Sequence, residues 1–344
     1  DQPIIRDPTY LTGADYVVME STYGDRNHTE VWSYTDDLAR IIDETMARGG
    51  NVIIPSFAVG RTQELLYFIR EMKEQGLVKS VPGFSVVVDS PLAGEATRIF
   101  SGDLHGYLDE EAIAALKGGA LFQFPGLTIT ESSDESRALN LDPTPKVIIS
   151  ASGMCDAGRI RHHLKHNLWR EECSVVFAGY QAEGTLGRLL QDGAPAVKIF
   201  GEEIDVKAHI ETLDGISGHA DRDGLLTWAA AFEQKPKYVF VVHGNDESCE
   251  SLTDALNTQL GLTAKAPYSG SEFDLIKGVW IKETEPVPVE AETQATRKAT
   301  GVYTRLVDAG QMLMDVIARN QGGANQDLTR FTEQILALCE KWNR

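Results

Sequence analysis

Short, continuous runs of apolar and β-branched residues recur along the first part of the chain, and they constrain its fold more than any other feature. The stretches are DYVVMES at 15–21, NVIIPSF at 51–57, FSVVVDS at 84–90, KVIISAS at 146–152 and CSVVFAG at 173–179. Continuous apolar runs, unlike alternating ones, are typical of parallel strands that helices cover on both faces.

Segments with helical periodicity lie between these runs, as parallel strands require. The predicted helices are SYTDDLARIIDETMARGG at 33–50, RTQELLYFIREMKEQG at 61–76, EATRIF at 95–100, DEEAIAALKGG at 109–119, AGRIRHHLKHNLW at 157–169 and GTLGRLLQDG at 184–193. Strands and helices that alternate in this way predict a three-layer α/β domain from about Asp15 to Gly193.

The pattern changes after Ala194. Residues 196–213 alternate more strongly and predict two antiparallel strands. A helix at 222–234, a strand at 238–244 and a helix at 246–261 follow.

The last part of the chain predicts a linker and a helical tail. KETEPVPVEAETQ at 282–294 is rich in proline and glutamate, which is typical of a linker. Two amphipathic helices are predicted beyond it, at 303–320 and 328–342. These helices are candidates for packing or assembly, and a homodimer is one use that we consider for them.

Charge and composition limit the function classes. The formal net charge of the 344 residues is −19, so any contact with RNA must use a local groove or a metal site. The four cysteines contain no CxxC pair, which favours a reducing cytoplasm over a disulfide framework. No run reaches the ~20 apolar residues that span a bilayer. The chain opens DQPIIRDP without an initiator methionine, so we expect a piece of a longer protein.

Polar residues at strand ends are candidates for chemistry, because open α/β sheets bind ligands beyond the carboxyl ends of their strands. Glu20 ends the first strand, where a structural cap and a functional acid are both consistent with it. Asp89 and Ser90 end another strand, and there a helix N-cap is favoured over catalysis.

Two glycine-containing turns are candidates for binding phosphate. Ser150, Ser152 and Gly153 lie at a strand-to-helix turn whose backbone N–H groups can face an anion, and Arg159 adds positive charge. A solvated helix face explains the basic residues equally well. Gly179 and Gly184 have the spacing of a phosphate-binding loop in nucleotide triphosphatases.

Thr185 argues against that loop, because it stands where a nucleotide triphosphatase requires lysine. A glycine turn that lets the backbone approach a phosphate stays open as an interpretation.

His219 and His243 are the histidines placed best for chemistry. His219 lies between a strand-like stretch and a helix start, and His243 ends the apolar strand YVFVV. Together with Glu20 they indicate an acid–base or a metal site. Two histidines are too few for a catalytic zinc ion, which takes three protein ligands. The residues alone therefore leave both interpretations open.

Seven motifs occur in a fixed order: ESTYGDRNH, NVIIPSFAVGRTQELLYFI, VVVDSPLA, IISASGMCDAGRIRHHL, FAGYQAEGTLGRLL, ISGHADRDGLL and VVHGNDES. Together they resemble the β-CASP family of the metallo-β-lactamase superfamily. Within it they are most similar to the bacterial RNA-processing hydrolases related to the pre-mRNA 3′-end endonuclease subunit. The resemblance covers about Ala14 to Leu275.

The resemblance implies an αββα metallo-β-lactamase domain into which a β-CASP α/β domain is inserted. It predicts that residues 1–28 contain a lactamase strand leading into the insert. Residues 29–195 would form the β-CASP domain, and residues 196–280 the returning part of the lactamase domain. The linker would then take residues 281–298, and the helical tail residues 299–344.

The resemblance also implies residue roles. Glu20 matches the acid of motif A, His219 the histidine of motif B and His243 the histidine of motif C. In the family the motif C histidine ligates one of two zinc ions, which activate the attacking water. The motif B histidine, oriented by the acid, contacts the scissile phosphate and donates a proton to the leaving oxygen. The prediction is a zinc-dependent ribonuclease acting on single-stranded RNA.

The residues predicted to contact RNA lie in motifs that face the cleft in relatives. They are Arg61, Ser150, Ser152, Gly153, Arg159, Gly179, Gly184 and Thr185. The HxHxDH motif that supplies most zinc ligands in the family does not occur in this sequence. We therefore expect the chain alone to bind no tight pair of zinc ions and to show no turnover.

Two other functions are weighed against the ribonuclease. A non-catalytic β-CASP scaffold could bind RNA or a partner nuclease, but it has no need of Glu20, His219 and His243 together. A phosphate- or nucleotide-binding α/β module is disfavoured, because no strand is followed by GxGxxG.

Overall fold

A computed structural model describes residues 3–28, 34–102, 104, 106–118, 121–213, 217–287, 310, 313, 316–317 and 325–342. Contacts divide the chain into two units, Asp1–Glu283 and Thr284–Arg344. None of the helices in these described ranges is long and apolar enough to cross a membrane.

Six parallel strands form the main sheet of the first unit. They are β2 (Val52–Pro55), β3 (Ser85–Val88), β4 (Leu127–Ile129), β5 (Lys146–Ser150), β6 (Ser174–Phe177) and β9 (His209–Thr212). Their order across the sheet is β4-β3-β5-β2-β6-β9. The predicted α/β fold with a parallel sheet is confirmed.

Helices cover both faces of this sheet. They are α1 (Tyr34–Ala47), α2 (Arg61–Gln75), α3 (Pro91–Phe100), α4 (Glu110–Gly118), α5 (Ser133–Leu141), α6 (Ile160–Asn167) and α7 (Leu186–Gln191). Val52 and Ile54 pack in the core that contains α1 and α2, whereas Ile53 packs in the core that contains α6. Because successive side chains of a strand point to opposite faces, the continuous apolar run of β2 fills both cores.

A second, smaller parallel sheet consists of β1 (Tyr16–Met19), β10 (Tyr238–Val241) and β11 (Ala264–Lys265). Helices α8 (Arg222–Ala230) and α9 (Asp246–Thr258) pack against it around Leu225 and Leu252.

An antiparallel ribbon follows this sheet in the chain, made of β12 (Glu272–Asp274) and β13 (Val279–Lys282). Its side chains Phe273 and Trp280 form an aromatic cluster with Tyr238. The predicted linker at residues 281–298 therefore overlaps the end of β13.

Residues 196–213 differ in part from the prediction. Strands β7 (Ala196–Ile199) and β8 (Glu202–Asp205) form the expected antiparallel pair. Strand β9 was not expected, and it pairs in parallel with β6 at the edge of the main sheet. Val197 packs in the same core as α6. Strand β9 thus belongs to the main sheet although it follows residue 195, and the domain boundary at residue 195 stays a prediction.

In the second unit, α10 (Asn325–Trp342) confirms the second predicted tail helix. The first predicted tail helix, at 303–320, lies mostly outside the described residues.

Candidate active site

Glu20, His219 and His243 converge at one edge of the smaller sheet. Their ligand atoms lie within 4.8 Å of one another. Met19 is paired with Val241 in the parallel sheet, so the residues that follow β1 and β10 emerge side by side. His219 reaches the same place from the turn before α8.

The Glu20 carboxylate holds the His219 ring. Its Oε2 lies 2.7 Å from His219 Nδ1, and Oε1 accepts a hydrogen bond from the Ala220 N–H at 3.2 Å. Because a charged carboxylate only accepts, Nδ1 carries a hydrogen, and Nε2 is the nitrogen left for a substrate. The His219 side chain is 41% exposed, so a ligand can reach it.

Three hydrogen bonds hold the turn around His219. Asp221 caps α8 through its Oδ1, which accepts the Gly224 N–H at 2.9 Å. Its Oδ2 accepts the His28 N–H at 3.3 Å. The Ser217 hydroxyl accepts the His219 N–H at 3.1 Å. Gly218 and Ala220, the neighbours of His219, are small, and Asp221 caps the helix two positions on. Together these residues place the His219 ring at the edge of the sheet.

His243 has a backbone conformation that few residues adopt. Its φ angle is 57°, in the left-handed region. The Thr22 hydroxyl lies 3.1 Å from His243 Nδ1 and 3.2 Å from the His243 carbonyl oxygen. The two histidine rings lie 5.0 Å apart between centroids.

The donor set suits a metal ion, since zinc binds imidazole nitrogen and carboxylate oxygen. Within the described residues, this is the one group of at least three His, Cys, Asp or Glu side chains that could hold a metal. Glu20 and His219 are paired with each other. His243 is therefore the member of the group best suited to be a ligand.

A cavity of about 430 Å³ lies beside the site, and Ser217 belongs to its wall. Its lining also includes Tyr23, Arg26, His28, Gly179, Tyr180 and Arg188. Among the residues predicted to contact RNA, Gly179 lines this cavity. The aromatic and arginine side chains around it were not predicted, although ESTYGDRNH carries three of them.

The loops after β2, β5 and β6 meet at the carboxyl edge of the main sheet. The Ser56 N–H donates to the Ser150 carbonyl at 3.0 Å. The Gln181 side chain donates to the Gly153 carbonyl at 3.0 Å. A Cβ on Gly153 would lie 3.1 Å from the Phe57 ring, so glycine suits this close approach.

Several side chains predicted to contact RNA make hydrogen bonds within the protein. The buried Ser150 hydroxyl donates to the Asp89 carbonyl at 2.8 Å. The Ser152 hydroxyl donates to the Ala157 carbonyl at 3.2 Å. Thr185 caps α7 by accepting the Arg188 N–H at 3.2 Å.

The exposed Gly184, before Thr185, has a φ angle of 77°, which favours glycine. RNA contact by these turns, through the backbone or through side chains, stays a prediction.

The two arginines predicted to contact RNA also have partners in the protein. Arg61 forms an ion pair with Glu64, and its side chain is 10% exposed. Arg159 lies 2.7 Å from an oxygen of Asp89 and donates to the Glu131 carbonyl at 2.9 Å. Their contact with RNA likewise stays a prediction.

Asp89 anchors a buried network that sequence patterns did not reveal. Ser90, its neighbour, is the expected N-cap of α3, accepting the Ala93 N–H at 3.3 Å. Asp89 instead accepts hydrogen bonds from His163 at 2.6 Å and from Arg159 at 2.7 Å. Polar residues on separate elements meet here, and no local spacing predicts that.

Two family models match separate parts of the chain. The Beta-Casp domain matches residues 62–190, and the Zn-dependent metallo-hydrolase RNA specificity domain matches residues 203–267. The first match lies on the main sheet and its helices. The second contains His219 and His243.

Curated relatives match the same region. Ribonuclease TTHA0252 of Thermus thermophilus is 37% identical over 252 residues, which is 73% of this chain and 56% of the relative. Transcription termination factor FttA of Thermococcus kodakarensis is 33% identical over 260 residues, 73% of this chain and 39% of the relative. FttA of Methanocaldococcus jannaschii is 32% identical over 270 residues, which is 76% of this chain and 41% of the relative.

The matched region spans about half the length of the first of these relatives, and about two fifths of the other two. The family models, the relatives and the parallel α/β fold agree with one another. The chain belongs to the β-CASP family of the metallo-β-lactamase superfamily.

Proposed function

We propose that this chain forms part of a zinc-dependent ribonuclease that hydrolyses phosphodiester bonds of single-stranded RNA. The observation that carries the proposal is the 2.7 Å contact between Glu20 and His219 beside His243. His219 would be the proton donor, Glu20 would orient it, and His243 would be a metal ligand. A ribonuclease among the relatives supports this assignment.

The acid–base step depends on the two nitrogens of His219. Glu20 accepts the Nδ1 hydrogen, which orients the ring. Nε2–H is then the donor that gives its proton to the leaving oxygen of the phosphodiester. Without this proton the leaving group would depart as an alkoxide, which is a poor leaving group.

Zinc, when bound, would supply Lewis-acid chemistry that activates water and neutralises charge on the phosphate. His243 would be one of its ligands, since its side chain faces the group formed with Glu20 and His219. We propose two ions for the intact enzyme, with most ligands outside this chain. The chain alone is then expected to lack turnover.

The neighbouring cavity suits a single-stranded nucleic acid. Tyr23 and Tyr180 line it and offer faces on which bases can stack. Arg26 and Arg188 line it as well and can approach phosphates. The turns at Ser150–Gly153 and Gly179–Thr185, together with Arg61 and Arg159, would extend this surface along the carboxyl edge of the main sheet.

A non-catalytic scaffold that binds RNA or a partner nuclease is the second candidate. Arg61 and Arg159 form ion pairs within the protein, so they can stabilise the fold without taking part in catalysis, and this favours the scaffold. The intact arrangement of Glu20, His219 and His243 favours the enzyme.

The proposed cytoplasmic location rests on the four free cysteines. Dimerisation through the helical tail stays a prediction.

The test compares zinc content and cleavage of labelled single-stranded RNA. It uses the 344-residue chain and a longer version with a complete lactamase domain, each with and without His219→Ala. His209→Ala, an exposed histidine of β9, is the matched control. We expect the longer protein to bind about two zinc ions and cut RNA. His219→Ala should keep the metal and lose cleavage, whereas His209→Ala should keep both.

Two outcomes would contradict the proposal. If the longer protein binds RNA but neither holds metal nor cuts, the scaffold takes its place. If His219→Ala loses its zinc together with its activity, His219 is a metal ligand instead of a proton donor.

A further inference from the structure

Thr22 contacts both parts of the candidate active site. Its backbone N–H donates to Glu20 Oε2 at 3.3 Å, and its hydroxyl contacts His243. We propose that Thr22 is a positioning residue that fixes the ring tautomer of His243, with the hydrogen on Nδ1. The inference deepens the function proposed for this site, but its test does not depend on RNA cleavage.

The available hydrogens determine the direction of the two hydroxyl contacts. Thr22 Oγ1 lies 3.2 Å from the His243 carbonyl oxygen and 3.1 Å from His243 Nδ1. The carbonyl oxygen can only accept, and the hydroxyl has one hydrogen, which it donates to that carbonyl. A lone pair of the hydroxyl is then left to accept Nδ1–H. The lone pair of His243 is thereby placed on Nε2.

This tautomer is the one that a metal ligand needs. A histidine binds a metal through a nitrogen without hydrogen, and a hydrogen bond from the other nitrogen sets which nitrogen that is. In other metal sites the partner is commonly a carboxylate or a backbone carbonyl. Here the Glu20 carboxylate is occupied by His219, and Thr22 takes the corresponding role for His243.

The same hydroxyl also fixes the position of the ring. His243 has a left-handed backbone, and the bond from Thr22 to its carbonyl joins the chain after β10 to the chain after β1. Gly244 packs against Ser21 so closely that a Cβ would lie 2.5 Å from the Ser21 hydroxyl oxygen. The two chain segments therefore form one closely packed, hydrogen-bonded junction that carries the His243 ring.

Thr22→Val separates the two contributions of Thr22. The backbone N–H that reaches Glu20 is kept, as is the β-branched shape, and the hydroxyl is lost. Thr22→Ser keeps the hydroxyl and should restore its effect. Thr258→Val is the matched control, because the Thr258 hydroxyl donates a hydrogen bond to the Asp254 carbonyl within α9, away from the site.

The experiment is long-range ¹H–¹⁵N correlation spectroscopy of the histidine rings in the 344-residue chain, near neutral pH and without added metal. We expect Nδ1–H for His243 in the parent protein. Thr22→Val should change its tautomer ratio roughly tenfold toward Nε2–H, the form that a free imidazole favours. Thr22→Ser and Thr258→Val should leave the ratio unchanged, and the His219 signals should stay the same in all variants.

Nε2–H at His243 in the parent protein would overturn the inference, whatever the variants do and whether or not Thr22→Val folds. An unchanged ratio in a folded Thr22→Val protein would overturn it as well. If the 344-residue chain shows the predicted tautomer but the longer protein with a complete lactamase domain neither binds zinc nor cuts RNA, the proposed function is contradicted and this inference stands.

Discussion

Asp89 is fully buried at the end of β3, and four side chains donate hydrogen bonds to its carboxylate. They are His163 at 2.6 Å, Ser136 at 2.6 Å, Arg159 at 2.7 Å and Thr130. Burial alone would raise the pKa of Asp89, but these hydrogen bonds outweigh it and hold the pKa well below its usual range. One carboxylate thus joins the ends of β3 and β4 to α5 and α6.

Asp89→Asn should therefore lower the free energy of unfolding by about 3–5 kcal/mol at neutral pH, because it leaves His163 and Arg159 without their buried charge partner. The difference in unfolding free energy between the parent protein and Asp89→Asn should also depend on pH. A carboxyl group whose pKa is lower in the folded state stabilises the protein above its unfolded pKa of about 3.9, and this stabilisation is lost as the pH falls further. Urea unfolding of parent and variant between about pH 2 and pH 7 measures both effects.

The control for this prediction is Asp134→Asn. Asp134 pairs with Arg137 on the surface of α5, and both side chains are largely exposed. Losing this exposed ion pair should lower the free energy of unfolding by less than about 1 kcal/mol. A deficit for Asp89→Asn that stays constant from pH 7 to pH 2 would contradict the linkage to Asp89.

At the scale of elements, the junction between β1 and β10 determines where the groups of the candidate active site lie. Gly244 follows His243, and its Cα faces the backbone and hydroxyl of Ser21. Gly244→Ala should force the two strand ends apart and lower the free energy of unfolding by about 1–3 kcal/mol. Gly218→Ala is the control beside the other histidine, because nothing lies within 4 Å of the position of its Cβ.

Thermal unfolding and the His243 ring signals test this prediction together. Gly244→Ala should lower the unfolding temperature and shift the His243 signals, and Gly218→Ala should leave the unfolding temperature close to that of the parent. Equal stability of the two variants would show that the junction can relax around a methyl group.

Elements with a strong local signal could be predicted from the sequence. The run NVII and the periodic segment from Arg61 place β2 and α2 within a few residues of their observed bounds. Strand β9 could not be predicted in its place, because HIET has a weak apolar pattern and is held by pairing with distant β6. Helix α5 was missed although Ser132 and Glu135 form a capping box at its start.

The candidate site was predictable in its residues but not in its contacts. Glu20, His219 and His243 stand out because each follows an apolar run or precedes a helix cap. Their mutual distances depend on the register between β1 and β10, which no single stretch of sequence encodes. Thr22 was missed for the same reason: its partner lies 221 positions along the chain.

At the scale of the whole molecule, a net charge of −19 opposes the approach of RNA. The RNA binding that we propose would then depend on a few cationic groups in a defined place. Arg26 is a candidate for this role. It lines the cavity beside the candidate active site, lies 4.9 Å from the centre of the Tyr23 ring and pairs with Asp25 at 2.8 Å. The Arg26 side chain is 44% exposed, so it can exchange Asp25 for a phosphate.

This arrangement predicts the salt dependence of RNA binding. Each phosphate contact contributes about 0.7 to the slope of log K against log salt for a single strand. Arg26→Gln should therefore reduce the steepness of this slope by about 0.7 and leave the unfolding temperature nearly unchanged. Arg137→Gln, an exposed arginine of α5 outside this cavity, should leave the slope as it is. Fluorescence anisotropy of a labelled single-stranded RNA at several salt concentrations measures both variants. Equal slopes for Arg26→Gln and the parent protein would place the RNA strand elsewhere on the molecule.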